Sequence, residues 1–222
     1  MKNSNPQLEN TQRAINLIIQ AALIVLLIFG YGLNAAVPPK FIIWQSVHFF
    51  LIALCDFYFD DYPNKKPCLT VALYISFPMF LFYSIGIGAF NELFIRIHII
   101  ILIIGSLLGN KLDKPFWKIL TSIYFIVIVF FEMIHFEIQT VLTTVILYTI
   151  GSILLVAISE RLSEINRNFW MLHVVILFFW IIFEGPFYEQ SYIYLVAGVA
   201  YESSKILFNK LFLSKGKVLI GE

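Results

Sequence analysis

Long apolar runs alternate along the chain with short clusters of charged, Pro, Gly and Asn residues, and the alternation predicts eight helices. The runs cover about 14–37, 40–60, 68–90, 93–109, 115–134, 138–158, 168–185 and 190–213. Each is close to the roughly 20 residues that a helix needs to cross the hydrocarbon core of a bilayer. The breaks are compact: Val37 to Lys40, Asp60 to Pro67, and Asn110 to Pro115. The third and fourth runs are the least clearly divided, with Phe90, Asn91 and Glu92 alone between them. No internal repeat, low-complexity linker or second soluble domain is visible. The expected fold is all-α, a polytopic membrane helical bundle of eight transmembrane helices. Helices are the natural solution because a lipid-embedded segment must satisfy its backbone hydrogen bonds internally.

Composition agrees with that pattern. The 222 residues are 60% hydrophobic and 13% charged, whereas soluble domains are nearer half apolar and a quarter charged. Met1 to Arg13 is polar, and the run after it is span-length with no small-residue cleavage site, so a cleaved signal peptide is not expected. A net charge of +1 and the lack of a basic run give no reason to expect nucleic-acid binding. With the N-terminus inside, all of the 15 Lys and Arg residues except Lys40 and Arg96 fall on the cytosolic side or at the cytosolic end of the last span. That bias predicts an even number of spans and two cytosolic termini. Cys55 and Cys68 then flank a cytosolic loop and read as free thiols.

Candidate chemistry centres on the last span, Ser191 to Leu213, which holds Glu202 and Lys205 one helical turn apart. Charged groups at membrane depth are costly and normally face a bundle interior or a polar cavity. Three readings follow for Lys205: it snorkels to the headgroups, it forms a structural pair with Glu202, or it is a desolvated amine that condenses with an aldehyde. Tyr194, Gly198, Tyr201 and Glu202 share its helix face, and His173 and Trp180 share a face of the seventh span that would meet it. The histidines, His48, His98, His135 and His173, have no metal-ligand spacing and read as hydrogen-bonded bundle residues. Glu92 and Arg96 stand at i, i+4 and are expected to pair near the outer surface. Asp56, Asp60 and Asp61 read as a solvated loop edge, and Ser159 to Arg167 as a cytosolic loop. Serine-hydrolase chemistry has no local motif.

The run TyrGluSerSerLys at 201–205 resembles the final-helix retinal-lysine motif of the microbial (type 1) rhodopsins, with Lys205 in the Schiff-base position and Ser203 two residues before it. Trp180 to Gly185 resembles the end of that family's penultimate helix, Trp180 matching an aromatic that walls the retinal ring. Span two, the loop to Pro67, and span three with Pro78 and Tyr83 are similar to the first two rhodopsin helices. The resemblance implies residues 1–39 as a cytosolic N-terminus and extra helix, 40–214 as a seven-helix retinal-binding bundle, and 215–222 as a cytosolic tail. It implies retinal as cofactor, held by Lys205, Glu202, Tyr201, Trp180, His173, Glu92 and Arg96, with Glu202 or Glu92 as the counter-charge. No catalytic residue or metal ligand is assigned. Span four departs from the family's third helix, since Glu92 and Arg96 are not followed by its tryptophan, and the last-helix aspartate position falls on Tyr201. No carboxylate stands at the cytosolic proton-donor position. Light sensing is therefore expected ahead of ion transport, in contact with the lipid bilayer and with self-association or a downstream signalling partner left open.

A rival reading comes from another class. Leu54 to Asp56 and Ile158 to Phe169 resemble motifs of lysoplasmalogenase-like membrane hydrolases, with Asp56 and Glu160 as the paired carboxylates. A bundle acting only as a sensor or scaffold is the third. Substitution of Lys205 separates these, because only the retinal reading makes the amine indispensable.

Overall fold

The computed structural model describes residues 6–31, 38–62, 65–109, 112, 114–134, 142–163, 175 and 188–213. Those residues form seven α-helices and no strand: α1 (Pro6–Tyr31), α2 (Pro39–Asp56), α3 (Pro67–Gly86), α4 (Leu93–Leu108), α5 (Pro115–Ile134), α6 (Leu142–Ser163) and α7 (Tyr188–Phe208). Four of them start on proline, which fits a first helical turn because its missing N–H would be unpaired there anyway. Five-residue π-helical turns, Phe57–Asp61 and Asn209–Leu213, extend α2 and α7. Between α3 and α4 the chain reverses at Gly88, whose φ of 73° is a left-handed conformation suited to glycine. A 3₁₀ turn, Ala89–Asn91, then leads into α4.

Among the described residues, three helical stretches are long and apolar enough to cross a membrane: Asn10–Phe29, Pro39–Asp60 and Pro67–Gly86. Ile95–Leu108 and Pro115–Phe131 are shorter apolar helices. The side chains have the inverted distribution expected of a lipid solvent. On α1 the buried positions include Arg13, Asn16 and Gln20, while Ile18, Val25, Leu26 and Phe29 are exposed. On α3, Val71, Ile75, Met79 and Phe82 make one exposed apolar stripe, and Leu73, Phe77 and Phe80 face inward. An aqueous protein seldom leaves so many large apolar side chains uncovered in continuous stripes. The protein is thus a membrane protein, all-helical among the described residues.

The chain divides into two compact units. The first comprises the chain up to Phe80 together with the part from Tyr192 onward, and the second Leu81–Ser191. In the first, Phe80 stacks on Trp44 and on His48, with ring centroids 6.0 and 5.2 Å apart, and Trp44 tilts against His48 at 5.1 Å. Ala53, Phe57 and Phe208 close a second apolar cluster, against which Tyr201 packs. In the second unit α4 lies along α6, and the approach is made by glycine. A Cβ added to Gly105 would stand 2.5 Å from Val156 Cγ1, and one on Gly109 would stand 2.8 Å from Glu160 Cβ. Phe90 stacks on Phe131 and tilts against Tyr124 in the same unit.

Several expected boundaries move. The first helix runs from Pro6 to Tyr31 instead of 14–37, so Arg13 belongs to the helix and not to a polar head. The sixth runs from Leu142 to Ser163, so the start of the expected loop at 159–167 is helical. The seventh expected span, 168–185, lies outside the described residues apart from Val175.

Candidate functional site

Lys205 is buried, with 2% of its surface exposed, and its Nζ is 2.8 Å from Asp56 Oδ2. It neither snorkels nor pairs with Glu202. The reason lies in the meeting of α2 and α7. Asp56 ends α2 where the chain continues into a π turn, and that placement turns its carboxylate toward α7. Asp56 is therefore a structural partner and not part of a solvated loop edge. The Tyr201 hydroxyl donates to the same Oδ2, and the Phe57 ring centroid lies 5.9 Å from the ammonium. The carboxylate, the phenol and the aromatic face around the amine replace part of the hydration it loses on burial.

Glu202, one turn before Lys205, is 1% exposed and points to α1. Arg13 Nη1 donates to Glu202 Oε2 at 2.7 Å, and Arg13 itself is fully buried. Asn16 Nδ2 donates to the other carboxylate oxygen at 3.4 Å. The Arg13 guanidinium carbon is 5.9 Å from the Tyr201 ring centroid, so Tyr201 borders both ion pairs, by its ring on one side and by its hydroxyl on the other. The contacts extend in antiparallel order along α1 and α7. Asn209 donates to Asn10 at 3.1 Å, Glu202 meets Arg13 and Asn16, and a Cβ on Gly198 would fall 2.1 Å from Gln20 Oε1. The positions Asn10, Arg13, Asn16 and Gln20 recur at helical spacing, so this polar face was present in the sequence as an inverted amphipathic pattern. A helix starting only at position 14 leaves Asn10 and Arg13 off that face, and half of the pattern with them.

The other candidate residues distribute as follows. Tyr201, Glu202 and Lys205 come together with Asp56 and Arg13, neither of which the sequence had placed beside the amine. Ser203 is exposed and its hydroxyl turns back to the carbonyls of Val199 and Ala200. Glu92 precedes α4 and Arg96 is buried within it, donating to the Phe90 carbonyl; both belong to the second unit. Glu160 also belongs to that unit, on α6. Trp180 and His173 lie outside the described residues. His48 is buried on α2 with its ring stacked on Phe80 and edge-on to Phe49. Cys55 is buried and Cys68 exposed, both as free thiols. Among the described residues no three His, Cys, Asp or Glu side chains gather as a metal site.

These features define a class: among the described residues it is an all-helical membrane protein with two interhelical ion pairs, Arg13–Glu202 and Lys205–Asp56, in its first unit. Comparison with protein-family models, with curated proteins and with solved structures finds no match.

Proposed function

We propose that this chain is a retinal-binding membrane photoreceptor of eight transmembrane helices with both termini in the cytosol, in which Lys205 carries the chromophore. The observation that carries the reading is the buried Lys205 ammonium with Asp56 at 2.8 Å from a different helix. The residues present fit the amine end of the group: a reactive nitrogen, a carboxylate to balance it, and a phenol fixing that carboxylate. Retinal, when bound, supplies an aldehyde carbon that joins the amine with loss of one water, and a polyene that light isomerises.

The protein's own part is proton and charge management. Asp56 accepts a proton from the Lys205 ammonium, which frees the nitrogen lone pair for attack. After water leaves, Asp56 returns the proton to the nitrogen and remains as its counter-charge. Tyr201, donating to Asp56, holds the carboxylate in place in both states. A displacement of the cation relative to Asp56 changes the attraction between α7 and α2, and the helices relax in response. The same contacts weigh against the hydrolase reading. Asp56 is engaged by an ammonium and a phenol, a poor state for a general base awaiting substrate.

The test is an absorption spectrum of the full chain purified after expression with all-trans retinal. A visible band that hydroxylamine bleaches under light, and that is lost in Lys205→Ala, is the expected result. Free-retinal absorption alone in the folded wild type overturns the reading. Hydrolysis of a vinyl-ether lysophospholipid, lost in Asp56→Asn and Glu160→Gln, would then favour the hydrolase.

A further inference from the structure

Glu202 and Lys205 stand three residues apart on α7, near enough to pair with each other, yet each takes its counter-charge from a different helix. We propose that Arg13 is a positioning residue of the amine site: by closing Glu202 into a separate ion pair it leaves Asp56 as the carboxylate that sets the charge at Lys205, and so makes α1 part of the site. The optical consequences rest on the retinal reading; the pairing rests on geometry alone.

The constellation holds two cations and two carboxylates. Remove Arg13 and two carboxylates compete for one ammonium, with Glu202 on the same helix face as the amine. In a poorly polarisable interior such an excess charge is felt strongly over a few ångströms. Arg13 suits the task because its guanidinium is always charged and offers several donors in a fixed plane. Asn16 from α1 donates to the second oxygen of Glu202, so both carboxylate oxygens are engaged from α1. From α7 itself Tyr201 stands between the pairs, and from α2 Asp56 takes the amine. The alternative is that the Arg13–Glu202 pair only fastens α1 to α7 and is indifferent to the charge at Lys205.

The visible band of the retinal-loaded full chain separates the two. A negative charge near the nitrogen stabilises the ground state more than the excited state, whose positive charge has moved away along the polyene. Arg13→Gln therefore shifts the band to shorter wavelength, and Glu202→Gln, which removes one negative charge beside the guanidinium, shifts it to longer wavelength. In Arg13→Gln/Glu202→Gln the two shifts cancel and the band returns toward the wild-type position, while Asp56→Asn displaces it strongly or moves it to the near ultraviolet. Arg13→Lys, which keeps the charge, leaves the band in place and serves where Arg13→Gln fails to fold. A double variant that behaves like Asp56→Asn overturns the proposal, because Glu202 would then be the counter-charge. Arg13→Gln and Glu202→Gln bands that both stay at the wild-type position also overturn it, in favour of mere fastening.

A wild type with no visible band sinks the photoreceptor reading alone. The pairing is then decided by thermal melts of the retinal-free protein. Arg13→Gln and Glu202→Gln should each lower the Tm, and the double variant should lower it no further than the worse single. Additive losses refute the pairing.

Discussion

Asp56 and Lys205 show how a single residue's surroundings change its meaning. A lysine near the end of an apolar helix is cheap when its stem lies along the helix and its head reaches water. Buried at 2% exposure it depends on Asp56, and breaking such a pair from one side leaves an uncompensated charge. That loss is typically about 3–5 kcal/mol, and Asp56, a quarter exposed, belongs toward the lower end. Asp56→Asn should therefore lower the thermal stability of the retinal-free protein, and Lys205→Met should lower it too. The double variant Asp56→Asn/Lys205→Met should be more stable than Asp56→Asn alone, as read by melts in one detergent. A double variant that loses the sum of both would show that the two side chains are not coupled. Tyr201→Phe removes one hydrogen bond to a charged acceptor and should cost about 1.5–3 kcal/mol in the same measurement.

At the scale of elements, the contacts between helices rest on a few close approaches. Gly105 and Gly109 let α4 settle on α6, and the atoms they meet are the β-branched Val156 side chain, the Glu160 Cβ and backbone carbonyls, which yield little. Gly105→Ala should lower stability by about 1–3 kcal/mol through overpacking. Gly86, with nothing within 4 Å of its added Cβ, supplies the control: Gly86→Ala should leave the melting temperature unchanged or slightly raised. Gly198 is an intermediate case, since its neighbour is the end of the Gln20 side chain, which has rotamers in which to move aside. In α2, Trp44 is wholly buried against His48 and Phe80, and Trp44→Ala should cost about 3–5 kcal/mol. Gly105→Ala melting like the wild type would mean that α4 and α6 are not in close contact.

For the whole molecule, the exposed apolar stripes of α1, α3 and α5 require a lipid or detergent coat. Cys55 and Cys68 report on both topology and packing. Cys68 is exposed at the start of α3, whereas Cys55 is buried in α2. A bulky membrane-impermeant maleimide should label Cys68 in inside-out vesicles and not in right-side-out ones, and Cys55 only after denaturation. Labelling of Cys68 from the outside would reverse the proposed orientation. Rapid labelling of Cys55 in the native protein would contradict its burial.

Much of this protein is legible along the chain. Apolar runs bounded by proline and charge mark α2 to α5 closely, because helix length, the N-terminal place of proline and backbone satisfaction in lipid are local constraints. The special status of Lys205 and Glu202 is legible too, since a charge inside an apolar run is conspicuous in one dimension. What they pair with is not. Asp56 lies 149 positions before Lys205, and Arg13 lies 189 before Glu202. In sequence Asp56 reads as the edge of an acidic loop, Arg13 as part of a polar cytosolic segment, and Glu202 or Glu92 as the partner of Lys205. Helix spacing decides which residues share a face, but not which face of another helix arrives opposite. Only the packing of α1 and α2 against α7 turned four scattered charges into two ion pairs.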